Sequence, residues 1–263
     1  MALRDKPPGA RLAAGLDAAS IVKDAEKELK APLRRLFGKR MLSLGGLVLL
    51  SGCEMKDGPS VEKMLRKVSE LNDVAQAAIF NPNAMADTFP DSMITRPFPF
   101  NAFYDIDNLP EIDVANYKLE VGGMATGKKT WTLEELRALP QVSQITRHIC
   151  IEGWSAIGKW QGVLFSDFLK LAGADTTARY VSFQCADDYS TSIDMPTALH
   201  PQTQLTLDYD GETLPLKYGF PMKLRMPTKL GYKNPKHIAA ITITNTYTGG
   251  YWENQGYNWF GGS

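Results

Sequence analysis

His148 and Cys150 stand two residues apart in Arg147-His148-Ile149-Cys150-Ile151-Glu152-Gly153-Trp154-Ser155, and Trp160-Gln161-Gly162-Val163 follows. A cysteine thiolate is a soft, anionic donor that can hold a high-valent metal through a redox cycle. With a histidine beside it, the same sulfur could act as a nucleophile. A single cysteine is also a common apolar filler of protein cores. From these residues alone three readings stand open: a metal thiolate, a Cys150/His148 thiol hydrolase and an inert buried thiol. No third orienting residue or oxyanion turn is recognisable for the hydrolase.

The elements that must position this pair are short and strand-rich. Residues 144–150 read as a strand whose alternation puts Thr146, His148 and Cys150 on one face, with Ile145 and Ile149 on the other. The polar face would line a cavity. Residues 118–121 read as a strand that turns at Gly122-Gly123. Residues 132–139 read as a short helix in which Thr132 is the cap and Glu135 closes a capping box. A second short helix at 166–172 ends at Gly173. Strands follow at 180–184, 204–208, 223–226 and 238–244. The expected class is α+β with a strand-rich core, and not a doubly wound nucleotide fold. Upstream, residues 61–78 carry helical periodicity through Val61, Leu65, Val68, Leu71 and Ala75. The Pro-, Asn- and Asp-rich stretch at 81–99 reads as linker and loop.

Across 263 residues, 29 Lys and Arg balance 29 Asp and Glu. General attraction to nucleic acid or to an anionic membrane is therefore not expected, and any anion site is local. Residues 217–236 hold such an excess: Lys217, Lys223, Arg225, Lys229, Lys233 and Lys236, with no acidic residue. That suits a cofactor phosphate held by charge-assisted hydrogen bonds. A solvated basic face is the alternative. The three cysteines, Cys53, Cys150 and Cys185, have the spacing of neither a zinc site nor a disulfide framework.

The run from Cys150 through Trp154 and Trp160-Gln161-Gly162-Val163 to Leu169 resembles the molybdopterin-binding domain of the sulfite oxidase family. The closer likeness is to its bacterial branch, which includes periplasmic methionine sulfoxide reductase catalytic subunits. Colinear matches continue at Tyr180-Val181-Ser182-Phe183, Asp188-Tyr189-Ser190-Thr191-Ser192, His200-Pro201-Gln202-Thr203 and Gly211-Glu212-Thr213-Leu214-Pro215. They end with Gly219-Phe220-Pro221, Gly231-Tyr232-Lys233-Asn234-Pro235-Lys236 and Gly256-Tyr257, and Asn101-Ala102-Phe103-Tyr104-Asp105 matches upstream.

The resemblance implies a sulfite-oxidase-type molybdopterin-binding fold with one molybdenum-molybdopterin per chain and Cys150 as the metal thiolate. It implies pterin contacts from Asn101, Tyr104 and Asp105 and from Asn234, Pro235 and Lys236. Three positions depart from the family: Cys185 replaces a threonine, Tyr218 an asparagine or histidine, and Lys223 an arginine. Lys223 supplies charge without a bidentate fork. His148 and Tyr189 are candidate substrate-pocket residues, each also readable as ordinary structure. The implied activity is oxygen-atom transfer to or from a small, sulfur-containing substrate. No haem attachment motif is present, so electrons are expected to pass to or from a separate cytochrome or membrane haem or quinone protein. A non-catalytic binding module of the same fold is the alternative.

Arg34-Arg35-Leu36-Phe37-Gly38-Lys39, the apolar run at 41–50 and Leu50-Ser51-Gly52-Cys53 look like a twin-arginine export signal joined to a lipoprotein cleavage box. The expected organisation is an export region at 1–53, mostly helical or disordered, a helix and linker at 54–95, and the catalytic domain at 96–263. Periplasmic localisation follows, with a lipid on Cys53 as the membrane attachment. No segment is left for the C-terminal dimerisation domain of sulfite oxidases proper, so a monomer is expected.

Overall fold

A computed structural model describes residues 59–263. The expected export signal and the lipidation site at Cys53 lie outside the described residues. The helical periodicity at 61–78 is realised as α1, Pro59–Ile79, and the chain from Ile79 to the end forms its own compact unit.

Two five-stranded sheets make that unit. The first is built from β1 (Lys118–Gly123), β2 (Thr130–Thr132), β5 (Tyr180–Cys185), β6 (Ser190–Asp194) and β10 (Ile238–Thr244), in the order β2-β1-β10-β5-β6. The second runs β3 (Val142–Ile149), β4 (Ser155–Leu164), β7 (Gln204–Tyr209) and β8 (Glu212–Thr213), with β9 (Lys223–Arg225) also paired to β7. Among the described residues only β1 and β10 pair in parallel. The expected α+β, strand-rich architecture is thus present.

One apolar core joins the sheets. Leu119, Val121, Val181, Phe183, Ile241 and Ile243 of the first sheet cluster with Val163, Leu205, Leu207 and Leu224 of the second. The short helix α3 (Phe165–Leu171), which follows α2 (Leu133–Ala138), buries Phe165, Phe168 and Leu169 in that core. α2 starts as its sequence predicts: Thr132 Oγ1 accepts from Glu135 N at 3.2 Å, and Glu135 Oε2 accepts from Thr132 N at 2.9 Å.

Some elements differ from expectation. β1 does not turn at Gly122-Gly123 but stays paired with β10 through both glycines. A Cβ at Gly123 would meet Ile243 O at 2.0 Å, so glycine is what lets the strands close there. β4, the longest strand, is interrupted in sequence by Gly158 and Gly162, which hides its alternation. A Cβ on Gly162 would sit 1.9 Å from Leu205 O on β7. Gly162→Ala is expected to cost roughly 3 kcal/mol, seen as a lower urea midpoint at unchanged slope. A cost below about 0.5 kcal/mol would mean the β4–β7 approach is not tight.

Residues 81–99 lack long regular elements, as read, but they form a strap and not a free linker. Gln202 bonds the backbone of Ala86 at both N and O, Thr95 exchanges two bonds with Ile157, and Ile94 and Phe98 are buried. A segment with these apolar anchors is held by burial despite its loop-like composition.

Candidate functional site

Cys150 closes β3 and begins a tight turn into β4. Its N–H donates to Trp154 O at 2.9 Å, and Gly153 N donates back to Cys150 O at 3.1 Å. Gly153 has φ 91, a conformation that favours glycine, and so fixes the turn. Register pairs His148 with Ala156 and Ile149 with Ser155. The predicted face is real: Thr146, His148 and Cys150 are buried while Arg147 between them is exposed.

Cys150 lines a cleft beside this turn. The walls come from four separated segments: Asn101 to Tyr104, the β3–β4 turn, Asp187 and Tyr189, and Gly231 to Lys236, with Trp252 and Tyr257 at one side. A second hollow, lined by Asp105, Ile106, Asp107 and Asn108, shares Asn101, Ala102, Tyr104 and Glu152 with the first. Of the residues expected to hold the cofactor, Asn101, Tyr104, Cys150, Asn234, Pro235 and Lys236 line the main cleft and Asp105 the adjoining one. Tyr189 also lines the cleft, and its hydroxyl donates to Tyr232 O.

The other candidates lie behind those walls. Cys185 is packed in the large core. Tyr218 sits in an aromatic cluster with Phe98, Trp160 and Tyr209 and donates to Phe98 O at 2.7 Å. Lys223 is buried with its ammonium 4.9 Å from the Trp160 ring centroid. His148 is fully buried between Phe98 and Trp154.

Sequence reading missed several residues in the wall and behind it. Glu152 Oε2 accepts from Trp154 Nε1 at 2.9 Å and lies 3.7 Å from Cys150 Sγ. Asp187 and His237 both reach the Tyr104 hydroxyl, each at 3.2 Å. The presence of Gly and Trp around Glu152 signalled its turn; nothing local pointed to Asp187 or His237.

The basic stretch is the electrostatic feature of the site, and it is not a solvated face. Lys223, Arg225, Lys229, Lys233 and Lys236 are all buried. Lys233 pairs with Glu253, and Lys229 donates to Phe260 O at 2.9 Å. Lys236 donates to the carbonyls of Asn101 and Lys217, and Arg225 to Arg147 O, Thr146 Oγ1 and Asn234 Oδ1. No carboxylate forms a salt bridge with Lys223, Arg225 or Lys236 among the described residues. Burial pushes Lys236 down to about 8, and burial with Lys236 and Arg225 nearby pushes Lys223 well below its usual range. Burial followed by the Arg225, Lys223 and Lys236 charges likewise holds His148 neutral, far below an ordinary imidazole.

Buried like charges without a counter-ion are costly, and an anion set among them removes that cost. Both His148 ring nitrogens, Arg225 Nε and Trp160 Nε1 are buried without a hydrogen-bond partner among the described residues. Burial first, and the Glu152 carboxylate behind it, raise the Cys150 thiol, against the backbone N–H of Glu152. A cation bound to sulfur reverses that preference and removes the proton. The arrangement therefore fits a large anionic ligand that also carries a metal. Gly231 keeps one wall thin, because a Cβ there would press on His148 Nε2 at 2.7 Å.

A family model described as "Oxidoreductase molybdopterin binding domain" matches residues 106–252. The chain belongs to this family of molybdopterin oxidoreductases. It is 64% identical over 241 residues to "Putative protein-methionine-sulfoxide reductase subunit YedZ1" of Azospira oryzae, covering 92% of each chain. It is 27% identical to the uncharacterized oxidoreductase YuiH of Bacillus subtilis, over 64% of this chain and 85% of that one. Identity is also 27% to the protein-methionine-sulfoxide reductase catalytic subunit MsrP of Ralstonia nicotianae, over 58% of this chain and 55% of that protein. Among solved structures, the sulfane dehydrogenase SoxCD of Paracoccus pantotrophus matches with TM-score 0.48 and 19% identity, over 51% of this chain and 40% of that one. As a molybdopterin oxidoreductase, the protein carries its redox chemistry on the cofactor and contributes binding, orientation and electrostatics.

Proposed function

We propose that this oxidoreductase is the catalytic subunit of a reductase that takes the oxygen atom from a sulfoxide. Electrons come one at a time from a separate haem or quinone protein. What supports the reading is the set of buried cations Lys223, Arg225 and Lys236, which form no salt bridge with a carboxylate among the described residues, together with the 64% identity to a relative named as a sulfoxide reductase subunit.

One molybdenum-molybdopterin per chain and no haem are part of the proposal, with a monomer exported to the periplasm by the twin-arginine route. Cys150 is the metal ligand. Lys236 and the backbone of Asn234 and Pro235 hold the cofactor on one side, Asn101, Tyr104 and Asp105 on the other. Asn234 contributes by shape, because its side chain is engaged by Met226 N, Arg225 and the Leu230 carbonyl. Lys223 and Arg225 act from behind as buried positive charge, and the side chains of Cys185 and Tyr218 fill the supporting core. When bound, the cofactor supplies a two-electron couple able to accept an oxygen atom.

The chain's own residues exclude water and set the entrance. Phe103, Tyr189, Tyr232, Trp252 and Tyr257 form an aromatic wall, with Trp252 and Tyr257 rings 4.9 Å apart. Such a wall takes a thioether or sulfoxide side chain favourably, since sulfur packs well against aromatic rings.

Protein purified from a molybdenum-competent host should hold about one molybdenum and one pterin per chain and oxidise reduced viologen with methionine sulfoxide as acceptor. Robust sulfite oxidation with no sulfoxide turnover would overturn the proposed direction. Metal-free material with hydrolase activity would overturn the whole reading in favour of the Cys150/His148 nucleophile.

A further inference from the structure

We propose that Asp187, Tyr104 and His237 hold one exchangeable proton and deliver it to the Cys150 cleft. The inference rests on the reductase reading above, because it concerns how that reaction is supplied with protons. Tyr104 and Asp187 line the cleft; His237 is fully buried behind them. The hydroxyl of Tyr104 lies 3.2 Å from Asp187 Oδ2 and 3.2 Å from His237 Nε2. His237 Nδ1 lies 2.6 Å from Phe220 O. A carbonyl only accepts, so Nδ1 carries a proton and Nε2 is the atom that titrates.

A tyrosine hydroxyl has one proton to give and cannot donate to both neighbours at once. Two arrangements satisfy all three groups. In one, the imidazolium Nε2–H donates to Tyr104, and Tyr104 donates to an ionised Asp187. In the other, protonated Asp187 donates to Tyr104, and Tyr104 donates to a neutral Nε2. The net charge is the same. Passing from the first to the second breaks the Nε2–H bond and forms a new O–H on Tyr104. The old Tyr104 O–H breaks at the same time and a proton lands on the carboxylate.

The surroundings hold this geometry in place. His237 sits at φ 50, a conformation that a residue with a side chain adopts only where its surroundings enforce it. They do so here: His237 N donates to Gly219 O at 3.1 Å, and His237 O accepts from Ala186 N at 2.8 Å, next to Asp187. Burial and the Asp187 carboxylate push the Tyr104 phenol far up, so it stays protonated and conducts without storing charge. For His237, burial lowers the imidazole most. The Phe220 carbonyl and Asp187 oppose this, while Lys236 and Lys223 add to it. Cys185 is the remaining titratable group near Tyr104. The imidazole therefore charges only on the acid side of the ordinary histidine range and releases its proton readily.

Sulfoxide reduction needs two protons: one sulfoxide, two electrons and two protons give one thioether and one water. The sulfur–oxygen bond breaks, sulfur is reduced, and both protons end on the departing oxygen. The electrons come from the haem- or quinone-class donor. The trio takes up each proton, holds it on His237 or Asp187, and gives it up to the cleft that Tyr104 and Asp187 line, so it reloads twice per turnover.

The test combines two readouts on the full chain. The protein has three histidines, so ring-15N labelling resolves His237 with and without cofactor. Its Nε2 titration should shift in Tyr104→Phe and in Asp187→Asn. Turnover of methionine sulfoxide with reduced viologen, normalised to molybdenum content, is then followed against pH in light and in heavy water. His237→Gln and Asp187→Asn should keep their molybdenum and lose roughly 10²-fold in kcat, with little change in KM. Both should also lose the fall in rate on raising pH and the solvent isotope effect. Wild-type kcat and pH profile in both variants would overturn the relay. So would loss of molybdenum from all three variants, which would make the trio a cofactor cradle, or a His237 titration indifferent to Tyr104→Phe. A wild-type protein that reduces no sulfoxide overturns the reductase reading alone, and the histidine titration then decides whether the three groups share a proton.

Discussion

Cys150→Ser should lower viologen-linked turnover by at least about 10³-fold, on the order of 4 kcal/mol of barrier. Sulfur and oxygen are close in size, so the turn that carries the residue survives: its bonds from Cys150 N to Trp154 O and from Gly153 N to Cys150 O are both backbone. What changes is the donor. A thiolate is soft, anionic and available to a metal near neutral pH; a serine hydroxyl is a hard, neutral ligand that holds its proton. The buried cations and the loop ending at Lys236 remain, so the variant should still retain much of its pterin. The expected signature is therefore an inactive protein that keeps its fold and cofactor but shows no Mo–S contact from the side chain by X-ray absorption. A kcat within tenfold of wild type would remove Cys150 from the chemistry.

How much of this site could be read from the sequence depends on how local each signal is. Alternation over seven residues placed Thr146, His148 and Cys150 on one face, because neighbouring side chains of a strand point to opposite sides. The Thr132–Glu135 box and the Gly173 stop were legible for the same reason: each is a bond or a conformation set within a few residues. β6 was not legible as a strand. Its buried residues are Thr191, Ser192 and Ile193, and two of the three are polar. Their hydroxyls are satisfied from far away, Thr191 on Glu253 at 2.6 Å and Ser192 on Gly249 O at 3.1 Å. A polar strand becomes tolerable only with partners some 60 residues distant in the chain, which no local pattern records.

The basic run at 217–236 shows the same limit from the other side. Six cations without an acid suit an anion site, but sequence alone leaves a wet surface as the alternative. The choice between them depends on burial, and burial is a property of the assembled sheets. β9 carries Lys223 and Arg225 into the interior as the partner of β7, pairing Gln204 with Arg225 and Thr206 with Lys223. Asp187, Tyr104 and His237 meet across separations of 83 and 133 residues, so their association also belongs to topology and not to spacing.

The largest stability effect is expected at Lys233, whose pairing with Glu253 is buried at both ends, with side chains 1% exposed. Lys233 Nζ donates to the Glu253 carboxylate and to Ser192 O at 2.8 Å, and Thr191 donates to the same carboxylate oxygen. The other oxygen, Glu253 Oε2, has no hydrogen-bond partner among the described residues. Lys233→Met would leave this carboxylate buried and unpaired, at a cost of about 3–5 kcal/mol. That is a large part of the ~5–15 kcal/mol that holds a domain folded. The exposed pair Arg96–Asp210, with Arg96 55% accessible, should cost far less when broken, because solvent screens it. Adding Glu253→Met to Lys233→Met should recover much of the loss, since two apolar groups of similar volume strand no charge. The pair also bears on function, because Glu253 stands on the short helix α4 (Tyr251–Asn254), whose Trp252 lines the cleft. The single variant should therefore lose cofactor more readily than the double. Urea unfolding of cofactor-free protein checks the energetics: a midpoint shift at unchanged slope for Lys233→Met, largely reversed in the double variant. A single-variant loss below about 1 kcal/mol would mean that water reaches the pair and that it does not latch the cleft wall.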